Sequence, residues 1–418
     1  MAERLQAPRG TFDVLPEDSE RREAVEAAAR RVLGAAGYRR IETPAFEATE
    51  LFTRGVGDST DIVQKEMYTF EDGGGRSLTL RPEGTAPVCR AYAEHGMHRL
   101  PQPVKLWYLG SFFRYERAQA GRYRQFWQVG VEAIGSDDPA VDAESILLLA
   151  TLLDELDVRE LRLRIASLGS PDSRAAYRER LTAHLRAHED ELAEDVRARI
   201  ELNPLRAFDS DHPGTQAVML GAPHLLDALS PQDAEHFAAV RAMLDAAGQP
   251  YEVDPTLVRG LDYYTRTVFE LTSDALGAQS GVGGGGRYDG LVEQLGGRPA
   301  PGMGWAAGIE RVLLAAGEQP VAAPEVDLFV AVDGGDGART AAFAVAAEGR
   351  RAGMHAQLEL AGRSLKGQLK QAGRVGARYV AVVGETSSAL RDMDTGDQTD
   401  VETETIVARI LRERGLGG

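Results

Sequence analysis

Glycine divides this chain more sharply than any other residue type. It is dense from about Tyr251 to Gly317, with four in a row at Gly283-Gly284-Gly285-Gly286. Between about 170 and 250 it thins out, and Arg, Glu, Asp, Ala and Leu take over, as in Ala175-Ala176-Tyr177-Arg178-Glu179-Arg180-Leu181. A glycine inside a helix costs roughly 1 kcal/mol relative to alanine. The glycine-poor stretch therefore reads as helices, and the glycine-rich one as β-like sequence whose backbone passes close to another strand or a ligand. A β-rich body interrupted by a helical insertion is the expectation.

Hydrophobic periodicity fills in the rest. Ser19–Gly37 reads as a helix, with Val25, Ala28, Ala29, Val32, Leu33 and Ala36 on one face and glycines at its end. Residues 76–81 alternate as a strand, a helical piece is expected near 47–52, and 143–156 is apolar and helical. Residues 105–116 and 125–134 read as two strands joined by a polar loop. Gln319-Pro320-Val321-Ala322-Ala323-Pro324 is a short linker. Beyond it strands at 328–332, 356–360 and 379–383 alternate with helices at 338–352, 364–376 and 403–414, the pattern of a small α/β domain. The expected division is 1–170 and 251–318 for the body, 171–250 for the insertion and 325–418 for the last domain.

Composition excludes rather than identifies. The 47 Lys and Arg against 64 Asp and Glu leave a net charge of −17, which argues against generic adhesion to nucleic acid but not against locally placed basic contacts. Cys89 is the only cysteine, so an internal disulfide is impossible and a cysteine metal site is not expected. With no signal-like start and no apolar run long enough to span a bilayer, a cytoplasmic protein without a membrane partner is expected.

Five stretches carry candidate chemistry. In paired strands, Phe112, Arg114 and Glu116 would share a face with Phe126, Gln128, Gly130 and Glu132, backed by Trp127, Val129 and Val131. That face suits the floor of a site, although a solvated hairpin would read alike. The loop 117–124, with three arginines, suits phosphate oxygens or simply solvent. Arg81-Pro82-Glu83-Gly84-Thr85 fits an ammonium site or a surface turn. Arg259-Gly260-Leu261-Asp262-Tyr263-Tyr264 fits a site or an interface. Gly302-Met303-Gly304-Trp305-Ala306-Ala307-Gly308, followed by Arg311, leaves room above a strand or packs tightly beneath a helix. Gly281–Gly286 matches a dinucleotide pattern only through glycine density, because the βαβ context is missing.

Taken together, these stretches resemble the class II aminoacyl-tRNA synthetases. Pro44 with Ile41-Glu42-Thr43 is similar to the first class motif, Phe113-Arg114-Tyr115-Glu116 through Glu132 to the second, and Gly304–Arg311 to the third. Leu257-Val258-Arg259-Gly260-Leu261-Asp262-Tyr263-Tyr264 and Gly285-Gly286-Arg287-Tyr288-Asp289 resemble the two motifs peculiar to histidyl-tRNA synthetases. The resemblance implies an α+β domain with a six-stranded antiparallel sheet and flanking helices, a helical insertion, and a C-terminal α/β anticodon-binding domain. It also implies a homodimer that uses ATP with Mg²⁺, L-histidine and tRNA(His), with no protein metal ligand assignable. On that resemblance, Arg114 and Arg259 hold the α-phosphate and are catalytic, Glu116 and Phe126 hold adenine, and Arg122 and Arg311 take terminal phosphate or the ring. Glu83, Thr85 and Gln128 hold the α-ammonium, and Glu132, Tyr263, Tyr264 and Tyr288 form the imidazole pocket. The rival within the same fold is a catalytically inactive, histidine-binding regulatory paralogue of an ATP phosphoribosyltransferase.

Overall fold

The computed structural model describes residues 4–57, 60–117, 119, 121–257, 260–317 and 326–413. The chain forms two compact units, Met1–Gln319 and Pro320–Gly418. The linker read at 319–324 lies outside the described residues.

The first unit is built on an eight-stranded sheet. Six strands run antiparallel in the order Val104–Phe113, Gln125–Ile134, Gly302–Gly308, Gly281–Arg287, Thr265–Ser273 and Leu161–Ser167. The two-residue strands Arg39–Arg40 and Glu252–Val253 add to the edges in parallel. Six strands were expected. The extra two form where chain leaving the helices Pro16–Ala35 and Pro231–Ala246 turns back alongside the sheet.

One face of the sheet is greasy and is covered by helices. Trp107, Leu109, Val129, Val131, Met303, Trp305 and Ala307 pack there with Val25, Ala29 and Leu33 of Pro16–Ala35 and with Ile146, Leu149 and Leu153 of Pro139–Glu155. Each helix starts a few residues earlier than periodicity indicated. Both carry a proline in the first turn, and the Asp138 side chain accepts from Ala140 N at 2.9 Å. A first-turn proline and, before Pro139, a polar cap carry no helical apolar period, so an apolar count starts late. Within 171–250, read as a helical insertion, the long helices are Pro171–Ala187 and Pro231–Ala246, with short helices and 3-10 turns between them. Phe237, Val240 and Leu244 of the latter join the sheet's own core.

The opposite face carries the site. A three-stranded sheet, Phe46–Ala48, Ser77–Leu80 and Tyr68–Glu71, leads directly into residues 81–84 and the helix Thr85–Glu94. Arg81 locks this corner, donating to Ser111 O and Thr43 O at 2.8 Å each, with its guanidinium 4.7 Å from the centre of the Phe112 ring. Gly84 and Gly110 are obligatory there, because a Cβ would collide with the Tyr108 ring and with Arg81 respectively.

The second unit has a mixed sheet ordered Ala356–Leu358, Leu328–Asp333, Tyr379–Gly384, Ser388–Asp392, Gln398–Val401, parallel across the first three and antiparallel thereafter. Leu328 and Val330 face one core while Phe329 and Ala331 face another, as a strand covered on both sides requires. The last two strands escaped the periodicity reading because 386–401 is largely polar.

Candidate active site

Two adjoining cavities open on the polar side of the first unit's sheet. The larger holds about 700 Å³ and the smaller about 190 Å³. Ile62, Arg114, Gln128, Gly260, Gly284 and Ala306 line both, so they mark the junction.

The large cavity is floored by glycine and rimmed by arginine. Gly281, Gly283 and Gly284 form part of its wall. Their strand is squeezed between neighbours: a Cβ on Gly283 would stand 2.8 Å from Ala307 Cβ, and one on Gly286 would stand 2.7 Å from Thr267 O. Glycine here serves strand packing and an open floor at once. Arg114 lies beyond the end of the ladder, which closes at the Phe113–Gln125 pair and not at Glu116. Its Nε donates to Pro82 O at 2.8 Å, and its guanidinium sits 5.4 Å from the centre of the Phe126 ring. Glu116 is 4.0 Å from Arg114 and 3.6 Å from Arg122. Gly121, at φ +72°, brings the loop against Arg311, whose guanidinium is held below the usual arginine range by burial and by the neighbouring Arg122 charge. A second guanidinium beside Arg311 gives this side of the cavity a charge that suits an anion. Glu310 secures the helix carrying Arg311, accepting from Trp127 N at 3.0 Å and pairing with Arg22 at 2.6 Å.

The small cavity is lined by Glu83, Thr85, Tyr108, Tyr263, Tyr264 and Trp305 along with the junction residues. Glu83 accepts from Thr85 N at 2.7 Å and Ala86 N at 3.0 Å, and burial raises its pKa. Glu132 and Tyr288, expected in the pocket wall, lie behind it instead, because both are fully buried. Thr85 Oγ1 donates to Glu132 at 2.7 Å, Tyr288 OH at 2.5 Å and Tyr108 OH at 3.4 Å. Gly304 makes room for this carboxyl, since a Cβ would strike it. Burial, offset only in part by the hydroxyls, pushes the Glu132 carboxyl up to about 8. Thr85, assigned to the ammonium, spends its hydroxyl on Glu132 and so connects the wall to the buried acid.

The structure brings together Glu83, Thr85, Arg114, Glu116, Arg122, Phe126, Gln128, Tyr263, Tyr264 and Arg311 on cavity walls. Arg259 lies outside the described residues. Sequence reasoning missed Tyr108, although Tyr108 faces Gly130 across the hairpin and the alternation that selected Phe112 extends back to it. It also missed Asp61, Ile62, Glu66, Arg206 and Glu270, which line the large cavity and carried no local signal. Among the described residues, no group of three or more His, Cys, Asp and Glu side chains is placed to hold a metal ion.

An antiparallel sheet floored by glycine, a hairpin arginine stacked on an aromatic ring, and a second arginine entering from a following helix define the class II aminoacyl-tRNA synthetase fold. Residues 10–312 match the family model for histidyl-tRNA synthetase, and 327–413 match that for an anticodon-binding domain. The chain is 48% identical over 423 residues to a histidine–tRNA ligase of Desulfitobacterium hafniense, covering 98% of this chain and 99% of the relative. It is 50% identical over 418 residues to that of Moorella thermoacetica, with the same coverage. The crystal structure of apo S. aureus histidyl-tRNA synthetase superposes with a TM-score of 0.82 at 38% identity, covering 97% of this chain and all of that one. This chain belongs to the histidyl-tRNA synthetase family.

Proposed function

We propose that the two cavities divide the reaction of a histidine–tRNA ligase between them, the small one holding L-histidine and the large one ATP. The enzyme activates histidine with ATP and transfers it to tRNA(His). The carrying observation is the junction: Arg114 and Gln128 line both cavities, where a carboxylate from one side would meet an α-phosphate from the other.

In the first step a histidine carboxylate oxygen bonds to the α-phosphorus and the bond to pyrophosphate breaks. Two anions must be brought together and no protein nucleophile is needed, so positioned arginines suit the task. Arg114 at the junction and Arg259 take the α-phosphate, Phe126 and Glu116 the adenine, and Arg122 and Arg311 the terminal phosphates. Bound with ATP, Mg²⁺ would offset phosphate charge, and the wall carboxylates Glu66 and Glu270, the latter paired with Arg164 at 2.5 Å, would face it. Glu83 and Gln128 hold the α-ammonium, with Thr85 as the bridge to Glu132. The imidazole meets the Tyr264 hydroxyl and Tyr263 in the small cavity's wall, while Glu132 and Tyr288 act from behind that wall through Thr85. In the second step the terminal ribose hydroxyl attacks the histidyl carbonyl carbon and AMP leaves. The protein is proposed to act as a cytoplasmic homodimer, in keeping with the first class motif around Pro44. Among the described residues no helix is long and apolar enough to cross a membrane.

A regulatory paralogue has less support. A Bacillus halodurans protein described as an ATP phosphoribosyltransferase regulatory subunit/histidyl-tRNA synthetase shares the fold at 22% identity and TM-score 0.66, and that likeness reaches no further than the fold. ATP–pyrophosphate exchange across the standard amino acids is the test. Exchange with histidine alone supports the assignment, and no exchange with any amino acid overturns it.

A further inference from the structure

Among the described residues, the helical segment between the strands Leu161–Ser167 and Glu252–Val253 sends one side chain into the site. Arg206, on the short 3-10 turn Pro204–Asp209, lines the large cavity. It also lines a separate hollow of about 150 Å³ within the helical segment, shared with Asn203 and Arg199. Asp61 lines both spaces as well, and its carboxylate stands 3.8 Å from Arg206 Nη1. At that distance the charges attract without a direct hydrogen bond. Both side chains keep solvent contact, at 24% for Arg206 and 42% for Asp61, so the pair is worth little to stability. Its placement is more informative. Asp61 directly precedes Ile62, a junction residue, so the pair lies on the large cavity's wall one residue along the chain from the junction, although Arg206 itself lines only the larger of the two cavities.

The sheet side of the large cavity already supplies Arg114, Arg122 and Arg311. Arg206 comes from a different element, and its neighbour Asp61 directly precedes the junction residue Ile62. In the transfer step the terminal ribose must approach the histidyl carbonyl there, bringing the phosphodiester that joins it to the preceding nucleotide. We propose that Arg206 binds this 3′-terminal phosphodiester of tRNA and so positions the ribose hydroxyl for transfer. Arginine suits the role because its planar fork meets two phosphate oxygens at once. The inference rests on the reading of the junction given above. Arg206 is a positioning residue, and the competing explanation is that it merely ties Asp61 to the helical segment.

The full-length enzyme tests this with two assays, ATP–pyrophosphate exchange and single-turnover transfer from preformed histidyl-adenylate to tRNA. Arg206→Ala should slow transfer about 10–100-fold, the effect of losing one charge-assisted hydrogen bond, and should slow exchange by clearly less. Arg206→Lys, which keeps both charge and fold, should recover part of the loss. Asp61→Asn should move oppositely and lower KM for tRNA, since it removes a carboxylate that competes for the guanidinium. Equal losses in exchange and transfer would assign Arg206 to the phosphates of ATP and overturn the proposal. Unchanged transfer in Arg206→Ala would do the same, as would an Asp61→Asn enzyme that copies the Arg206→Ala defect. Arg114→Ala separates the two readings: if it leaves exchange intact, the junction assignment itself fails, whereas a crippled Arg114→Ala beside a normal Arg206→Ala sinks only the role given to Arg206.

Discussion

At Glu132 a carboxyl is buried among hydroxyls, with the carboxylate of Glu83 nearby, and this makes its proton the most readable feature of the site. Its pKa lies near 8 in the folded chain against an ordinary 4.5. Between those values the folded state keeps a proton that the unfolded chain has lost, so stability falls as pH rises through the window and levels off above it. Glu132→Gln removes the effect. In denaturant unfolding, the variant's stability relative to the parent should therefore improve as pH is raised from about 5 to 8; a constant difference would mean that the carboxyl is ionised throughout. The same substitution should raise KM for histidine and spare KM for ATP. Arg259→Ala, by contrast, should slow pyrophosphate exchange by about 10²–10³ without unfolding the protein, because it removes one preorganised donor to developing charge. Circular dichroism beside the exchange assay checks both halves of that expectation.

Elements are held in place here by one buried ionic cluster. Arg287, at the end of the glycine strand, pairs with Asp142 of the helix Pro139–Glu155 and donates to Ser136 O at 3.0 Å. The other Asp142 oxygen lies 2.8 Å from His236 Nε2 of Pro231–Ala246. A strand end and two helices thus meet at one carboxylate, directly before Tyr288, which reaches Glu132. Asp142→Ala takes from the fully buried Arg287 guanidinium its closest carboxylate, leaving Asp289 at 3.1 Å, and should cost about 3–5 kcal/mol in urea unfolding. A loss below 1 kcal/mol would show that water or Asp289 compensates.

For the whole molecule, each compact unit has its own core. Leu328, Val330, Val345 and Ile410 pack within the second, and every catalytic candidate belongs to the first. A chain ending near Pro320 should still form histidyl-adenylate and charge tRNA poorly. Normal charging by that folded fragment would remove the anticodon-binding role from residues 327–413. Charging by the full chain should weaken with salt, because a protein of net charge −17 holds RNA only through local cations that displace counterions. Lys366, Lys370 and Arg374 are exposed along Leu365–Arg374, whereas Arg363 is paired with the buried Glu359 at 3.1 Å and is the poorer candidate.

Periodicity and glycine distribution, read from the sequence alone, determined the hairpin of 104–134, the helical character of 171–246 and the alternation after 326, because each depends on residues close in sequence. The motif residues were legible for the same reason: Phe126 and Gln128 share a pleat, Arg114 directly follows the end of the paired strand, and both relations are local. Tertiary structure decided which of them reach a cavity. Glu132 and Gln128 alternate identically on one strand, yet one is sealed behind Thr85 and Tyr108 and the other lines the junction. The difference comes from the helix Thr85–Glu94 and the strand end at Tyr288, which arrive from 47 residues upstream and 156 downstream of Glu132. Arg206 is the extreme case. Nothing in Asn203-Pro204-Leu205-Arg206 announces a site residue, because its meaning lies in a segment that folds back over a sheet assembled from the chain on either side of it.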